Sequence, residues 1–193
     1  MAYHHGDLAA ALVEAGLDLS RAGGPEAVTV REVTRRAGVS PNAAYRHFPS
    51  RAALLEAVAA AIQLRLASAM TDEPSPDPRD RLHRIGVAYV DFALAEPGWF
   101  AVVFFGSRPT DPSSVAEAPA FPALVAALDA LVAEGALDPA CRDDAAWACW
   151  ATVHGFAELC LHGPLAAVPA LEQRRRGEVA IRAVVAGIAA GDR

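Results

Sequence analysis

Lysine is absent: all 17 basic residues of this 193-residue chain are arginine. Runs that alternate apolar and polar residues are also missing, which disfavours a sheet protein. Only three cysteines occur, Cys141, Cys149 and Cys160, and no CxxC. An odd number without that motif disfavours a disulfide framework or zinc ribbon and makes a reducing cytosol the default. The opening residues lack a basic segment leading into an apolar stretch, so no secretory signal is expected. No uncharged apolar run approaches the roughly 18 residues of a membrane helix. Nucleophile elbow, HExxH, P-loop and glycine-rich dinucleotide loop are all missing, so no cofactor and no catalysis are expected. Positive charge is scarce as well: the net charge is −6, an unpromising total for a nucleic-acid binder unless the charges are segregated.

What is present is alanine in excess and a 53% hydrophobic fraction, enough to build a helical core. Apolar spacing and breakers predict a helix from about Asp7 to Ala22, with Leu8, Leu12, Ala15 and Leu19 on one face, stopped by Gly23, Gly24 and Pro25. Thr29 and Glu32 fit a capping box that opens a second helix, closed at Ala37 with Gly38 left-handed beyond it. Ser40 followed by Pro41 opens a third, short helix that Pro49 stops. Ser50 caps a fourth, carrying Leu54, Leu55, Val58, Ile62 and Leu66. The three-proline stretch Thr71–Asp80 reads as a loop between two lobes. Further helices are marked by Leu82, Ile85, Tyr89 and Phe92, by a short apolar piece Trp99–Phe105, and by Leu124, Leu128 and Leu131. A Pro/Ser-rich loop covers 107–122, and two long helices follow at about 139–162 and 170–190. The fold expected is all-α: a three-helix helix-turn-helix domain over 1–50, then a helical bundle over 51–193 whose residues 51–70 connect the two.

Residues 29–48 carry the informative pattern. Helix, glycine turn and short polar helix follow helix-turn-helix logic, with Val39 plugging the turn and Val33, Ala37, Ala44 and Phe48 as its small core. A helix so short is not held by its own propensity. Its N-terminal residues Ser40, Pro41, Asn42 and Ala43 stand where a recognition helix meets base edges. Charge agrees: segment 29–51 holds five arginines against Glu32 alone, a net of +4. Residues 56–193 hold 11 arginines against 18 acids, a net of −7. A basic edge on an acidic body can still dock on phosphates.

Ala37-Gly38-Val39-Ser40, Tyr45-Arg46-His47-Phe48 and then Arg51 resemble the TetR family of bacterial transcription regulators. The opening Tyr3–Leu8 and the spacing Trp150, His154, Gly155 resemble a subgroup with a Trp-His-Gly C-terminal domain. The resemblance implies a homodimer of nine or ten helices per chain, bound to palindromic double-stranded DNA and to a small apolar inducer that releases it. A repressor is favoured, though the fold also serves activators. Carried over by position, Thr29 and Arg31 meet phosphate or base, Ser40, Asn42 and Ala43 face the groove, and Tyr45, His47 and Arg51 bind phosphates. Asn42 suits adenine and Ala43 a thymine methyl.

Plainer readings stand beside these. Tyr45 packs or binds, and His47 caps its helix or binds. Arg35 and Arg36 read as solvated surface, and His4 and His5, which invite a metal reading, as a frayed terminus before that, or as an arm near DNA. Ten of the 13 aromatics lie between Tyr89 and Phe156. Among them Tyr89, Phe92, Phe100, Phe104, Phe121 and Trp150, with His154, are either the wall of an inducer cavity or ordinary core. The cysteines read as small buried hydrophobes, with a redox sensor as the alternative. The Ala- and Gly-rich last two helices suit a four-helix dimer interface or a monomeric core. The rival functions are a helical small-molecule-binding protein or enzyme without DNA binding, for which His83, His154 and His162 are available, and a helical module that has lost DNA binding.

Overall fold

A computed structural model describes residues 8–72, 75–106 and 117–190, and among them every regular element is helical. The N-terminal elements are α1 (Leu8–Ala27), α2 (Val30–Ala37), α3 (Pro41–Tyr45) and α4 (Arg51–Thr71). They are followed by α5 (Pro78–Ala95) and by α6 (Pro97–Ala101), which continues as a π-helical turn over Val102–Gly106. The last are α7 (Phe121–Ala133), a 3₁₀ turn at Pro139–Cys141, α8 (Arg142–Leu161) and α9 (Ala170–Ala190). Two compact units result, Met1–Arg65 with Glu96–Val115, and Leu66–Ala95 with Ala116–Arg193. His4, His5 and most of the expected 107–122 loop lie outside the described residues.

Local chemistry fixes the N-terminal helices. The Thr29 Oγ1 accepts the Glu32 backbone N–H at 3.2 Å and so starts α2. The reciprocal half of the expected capping box is replaced: the Thr29 N–H bonds Ala27 O at 3.1 Å, and the Glu32 carboxylate takes Arg35 Nε at 2.9 Å. Gly38 sits at φ 70°, and its N–H and that of Val39 close the helix on the carbonyls of Arg35 and Thr34. An added Cβ at Gly38 meets nothing within 4 Å. Gly38→Ala is therefore expected to cost only the left-handed backbone strain, about 1–2 kcal/mol, read as a lowered urea midpoint with unchanged slope. Ser40 Oγ accepts from the Ala43 N–H and Ser50 Oγ from the Ala53 N–H, capping α3 and α4 as read from the sequence.

The first core joins Leu12, Leu17, Val28, Val33, Ala44, Leu54, Leu55, Val58 and Ile62, all essentially inaccessible. Val39, Ala37 and Phe48 are half-buried around it. The buried stripe of α1 differs from the expected one. Leu12 and Ala15 face the core, but Leu17 and Ser20 are buried while Leu8 and Leu19 are only partly so. The cause is α6, which covers a second side of α1. The Trp99 indole N–H donates to Leu17 O at 2.9 Å, and the Arg21 and Arg65 guanidiniums lie 5.0 and 4.9 Å from the Trp99 ring centre. Arg21 also forks onto Glu96, and Arg65 onto Glu14.

One described helix, α4, is long and apolar enough by length and composition to cross a membrane. Glu56 and Arg65 interrupt it, which is why no uncharged run marks it in the sequence. Its Leu54, Leu55, Val58, Ile62 and Leu66 are buried in protein.

In the second unit Leu82, Ile85, Tyr89, Leu124, Leu128, Leu131, Val153, Ala157 and Ile181 form the core. Ties between helices add to it: Arg174 Nε meets Asp91 at 2.8 Å, and Gln173 Nε2 donates to Leu165 O at 2.7 Å. Cys149 and Cys160 are buried as expected, and burial pushes the Cys149 thiol up to about 11. Cys141 departs from that reading: it is exposed, because the 3₁₀ turn lifts it off the core ahead of α8.

Candidate nucleic-acid interface

The α2–turn–α3 hairpin presents most of its sequence-nominated residues to solvent. Arg31, Ser40, Pro41, Asn42, Tyr45, His47 and Arg51 are exposed, while Thr29 and Ala43 are half-buried. Tyr45 is 50% exposed, so its ring is no part of the core. The α3 helix is held from behind by Ala44 and stands free in front. That is the construction needed to present side chains to a groove.

The charges separate into occupied and unoccupied arginines. Arg35 pairs with Glu32 at 2.9 Å and Arg36 with Asp18 at 3.0 Å, so both are compensated surface. Arg51 turns inward instead. Its Nε donates to Val28 O at 2.8 Å, its Nη2 to Pro25 O at 2.6 Å, and Glu26 stands 3.6 Å away. The Pro25 carbonyl also accepts the Val28 N–H at 3.2 Å, so Arg51 adds to the bonding of a turn that follows the Gly24 kink, where φ is 61°. Among the described residues Arg31 and Arg46 are exposed and pair with no acid. Arg46 was not singled out from the sequence as a contact. What could have found it is the lack of an acid three or four residues away.

The seven aromatic and histidine candidates of the C-terminal half do not form one group. Phe100 and Phe104 pack with tilted rings, centroids 4.6 Å apart, in the first unit, beside α1. The second unit brings together Tyr89 of α5 with Trp150 and His154 of α8. Phe121 reaches them through Trp147, at 6.3 Å and then 5.5 Å. Phe92 is half-buried on α5. Tyr89 is 4% exposed, and its Oη lies 3.0 Å from His154 Nδ1. Trp150 stacks on the His154 ring at 5.0 Å and hydrogen-bonds Tyr89. Burial drives the Tyr89 hydroxyl far above its ordinary value; the Trp150 bond opposes this and Glu158 reinforces it. Tyr89 therefore keeps its proton. Burial lowers the His154 pKa against the pull of Glu158, so the imidazole is neutral. An indole N–H can only donate, so Trp150 donates to the Tyr89 oxygen, which also bonds His154 Nδ1.

Comparison with known proteins places these features in context. Residues 12–58 match the family described as bacterial regulatory proteins, tetR family. Residues 82–189 match the family described as tetracyclin repressor-like, C-terminal domain. A protein of unknown function from Rhodococcus sp. RHA1 is 30% identical over 98% of this chain and 99% of its own, with a TM-score of 0.79. A TetR transcriptional regulator from Streptomyces coelicolor is 20% identical, covering 94% of this chain and 97% of its own, with a TM-score of 0.74. A TetR variant from Acinetobacter baumannii AYE in complex with minocycline is 23% identical, covering 91% and 93%, with a TM-score of 0.67. At these lower identities the likeness is one of fold. No curated protein matches the chain.

Proposed function

The chain belongs to the TetR family of transcriptional regulators, DNA-binding proteins and not enzymes, and from that premise we propose that it is a cytoplasmic homodimeric repressor released from a palindromic operator by a small molecule. The functional division falls at residue 50, with the reading head before it and the sensor and dimer body after it. The observation that carries the reading is the hairpin surface. Ser40 at the N-cap and Asn42 and Tyr45 on α3 stand exposed, flanked by Arg31 and Arg46, which pair with no acid among the described residues. Thr29 and the α2 N-terminus suit a phosphate, and Asn42 and Ala43 suit base edges. Tyr45, His47 and Arg46 suit flanking phosphates, whereas Arg51 contributes by holding the α1–α2 turn to α4.

Dimerisation through α8 and α9 is supported by what these helices leave exposed. Ala148, Ala151, Gly155 and Leu159 line one side of α8, and Leu171, at 83% exposure, and Val179 stand out on α9. A Cβ added at Gly155 or Gly187 meets nothing within 4 Å, so neither glycine is needed for packing inside the protomer. A second copy gives both a role. Gly155→Arg is expected to yield a folded monomer by light scattering, with operator affinity reduced roughly 10²-fold or more as the linkage of two heads is lost. A dimer that survives this substitution places the interface elsewhere.

Release is a matter of geometry. Half-sites lie about 34–36 Å apart, one helical turn. Chain connectivity runs from α5 through Glu96 into α6, and α6 is clasped on α1. A ligand that favours one disposition of α5 thereby biases α1 and the head spacing, limited by its differential affinity for the two states. Footprinting on the DNA upstream of its own coding region tests the reading. Two protected half-sites one turn apart are expected, and uniform weak protection of all DNA would contradict it.

A further inference from the structure

Trp150, Tyr89 and His154 form a polar cluster inside the second unit, and it joins α5 to α8. The Tyr89 hydroxyl takes the Trp150 N–H and lies 3.0 Å from His154 Nδ1. Tyr89 is buried, and Trp150 stacks on the imidazole at 5.0 Å. The indole is a donor at every pH, so one acceptor site of the Tyr89 oxygen is always taken.

The bond between Tyr89 and His154 depends on protonation. A neutral imidazole can leave Nδ1 bare and accept the tyrosine proton. An imidazolium carries a proton on both nitrogens and can only donate. Its Nδ1–H would meet an oxygen already holding the Trp150 N–H, and the tyrosine proton would have to leave that line. Two donors on one buried oxygen, beside a charge withdrawn from water, disfavour this state. Relief comes from turning the imidazolium toward solvent, which parts it from Tyr89. His154 is only half-buried, so water is within its reach.

The titratable groups that act on His154 are Tyr89 from α5 and Glu158, one turn further along α8. Burial holds the His154 pKa below its ordinary 6.5, and Glu158 opposes this. Charges on the helices packed against α8 are already matched. Asp91 of α5 holds Arg174 of α9, Asp129 of α7 holds Arg142, and Glu172 and Glu178 hold arginines of their own helix, α9.

We propose that the Trp150–Tyr89–His154 cluster is an acid-sensitive latch: a proton taken up by His154 parts α8 from Tyr89, frees α5 and weakens operator binding. The effect on the operator rests on the regulator reading, whereas the latch itself does not. The folded chain resists a proton that the unfolded chain accepts near pH 6.5. The latch therefore gives its full stability above that pH and loses it as the pH falls through the folded pKa.

His154→Asn tests the latch, because its Oδ1 can accept the tyrosine proton and the side chain does not titrate. Operator affinity and Tm are measured for both full-length proteins between about pH 7.5 and 5.5. The ratio of wild-type to variant affinity is expected to fall roughly tenfold, since one unmatched proton per chain is worth up to about tenfold per pH unit. Tm of the wild type should fall relative to the variant over the same range. His47 at the DNA surface is common to both proteins and cancels in the ratio. In the wild type alone, the His154 ¹⁵N resonances should titrate below pH 6.5, with the Trp150 indole N–H signal moving at the same midpoint. Parallel pH profiles, a wild type that gains on the variant as pH falls, or an indole signal indifferent to the His154 titration would overturn the inference. The Tm and NMR readouts need no DNA and judge the latch by themselves. Absence of operator binding by the wild type at every pH overturns the regulator reading instead.

Discussion

Replacing Arg31 and Arg46 together by alanine is expected to flatten the salt dependence of operator binding by about 3.6 units of log K against log salt. A dimer loses four uncompensated cations, and each contributes about 0.9 to the slope through counterion release. Taken from a 1 M reference, the same four cations are worth on the order of 10³-fold in affinity near 0.15 M salt. The substitutions remove no internal ion pair, so thermal unfolding should be unaffected. Arg51→Ala should show the opposite pattern. Its guanidinium is occupied by the carbonyls of Pro25 and Val28, so its loss removes two hydrogen bonds that tie the α1–α2 turn to α4 and destabilises the head while leaving the slope nearly unchanged. Fluorescence anisotropy on an operator duplex across a salt series reads both. A slope that Arg51→Ala flattens and the double substitution does not would reverse the assignment.

Gly98→Ala should be among the most damaging small substitutions in the protein. A Cβ at this position would lie closer than 3.0 Å to the backbone carbonyls of Ser20 and Arg21, and backbone within a helix cannot retreat as a flexible side chain can. Those carbonyls stand in α1 one turn before the Gly24 kink. The methyl must therefore lift α6 away from α1. That movement strains the Trp99–Leu17 hydrogen bond and opens the Arg21–Trp99–Arg65 stack. Overpacking against fixed backbone together with a lost buried hydrogen bond puts the cost on the order of 3 kcal/mol. For a chain of this size that is about 6–12 °C in Tm. Scanning calorimetry measures the loss, and amide exchange should place it in α1. An unchanged Tm would mean that α6 docks on α1 less closely than the structure shows.

The two predictions mark what was legible in the sequence. Thr29, Gly38, Ser40 and Ser50 act within four residues of themselves, and each caps or closes the helix it was read to cap or close. The apolar faces of α4 and α7 repeat at helical spacing and are buried as spacing requires. The Trp99 clasp was not legible, because it joins residues some 80 positions apart and buries Leu17, which lies off the stripe that periodicity picks out. The role of Arg51 was hidden for a related reason. Its motif position marks a phosphate contact, while the carbonyls it binds, those of Val28 and Pro25, lie 23 and 26 positions earlier in the chain. The aromatics between Tyr89 and Phe156 are contiguous along the chain, yet chain order does not reveal that Pro97 and Gly98 send Phe100 and Phe104 to a different unit from Tyr89. The Trp150–Tyr89–His154 order needed geometry too, since spacing alone pairs Trp150 with His154 and leaves the tyrosine out.

The most direct test of the central claim compares affinity for the protected upstream palindrome with that for a scrambled duplex of equal length and composition, both measured across salt. Sequence-specific recognition by the α2–α3 surface predicts an advantage of roughly 10³-fold or more for the palindrome at physiological salt, with a steep salt slope on both duplexes. Equal affinity for the two duplexes at every salt concentration would contradict it.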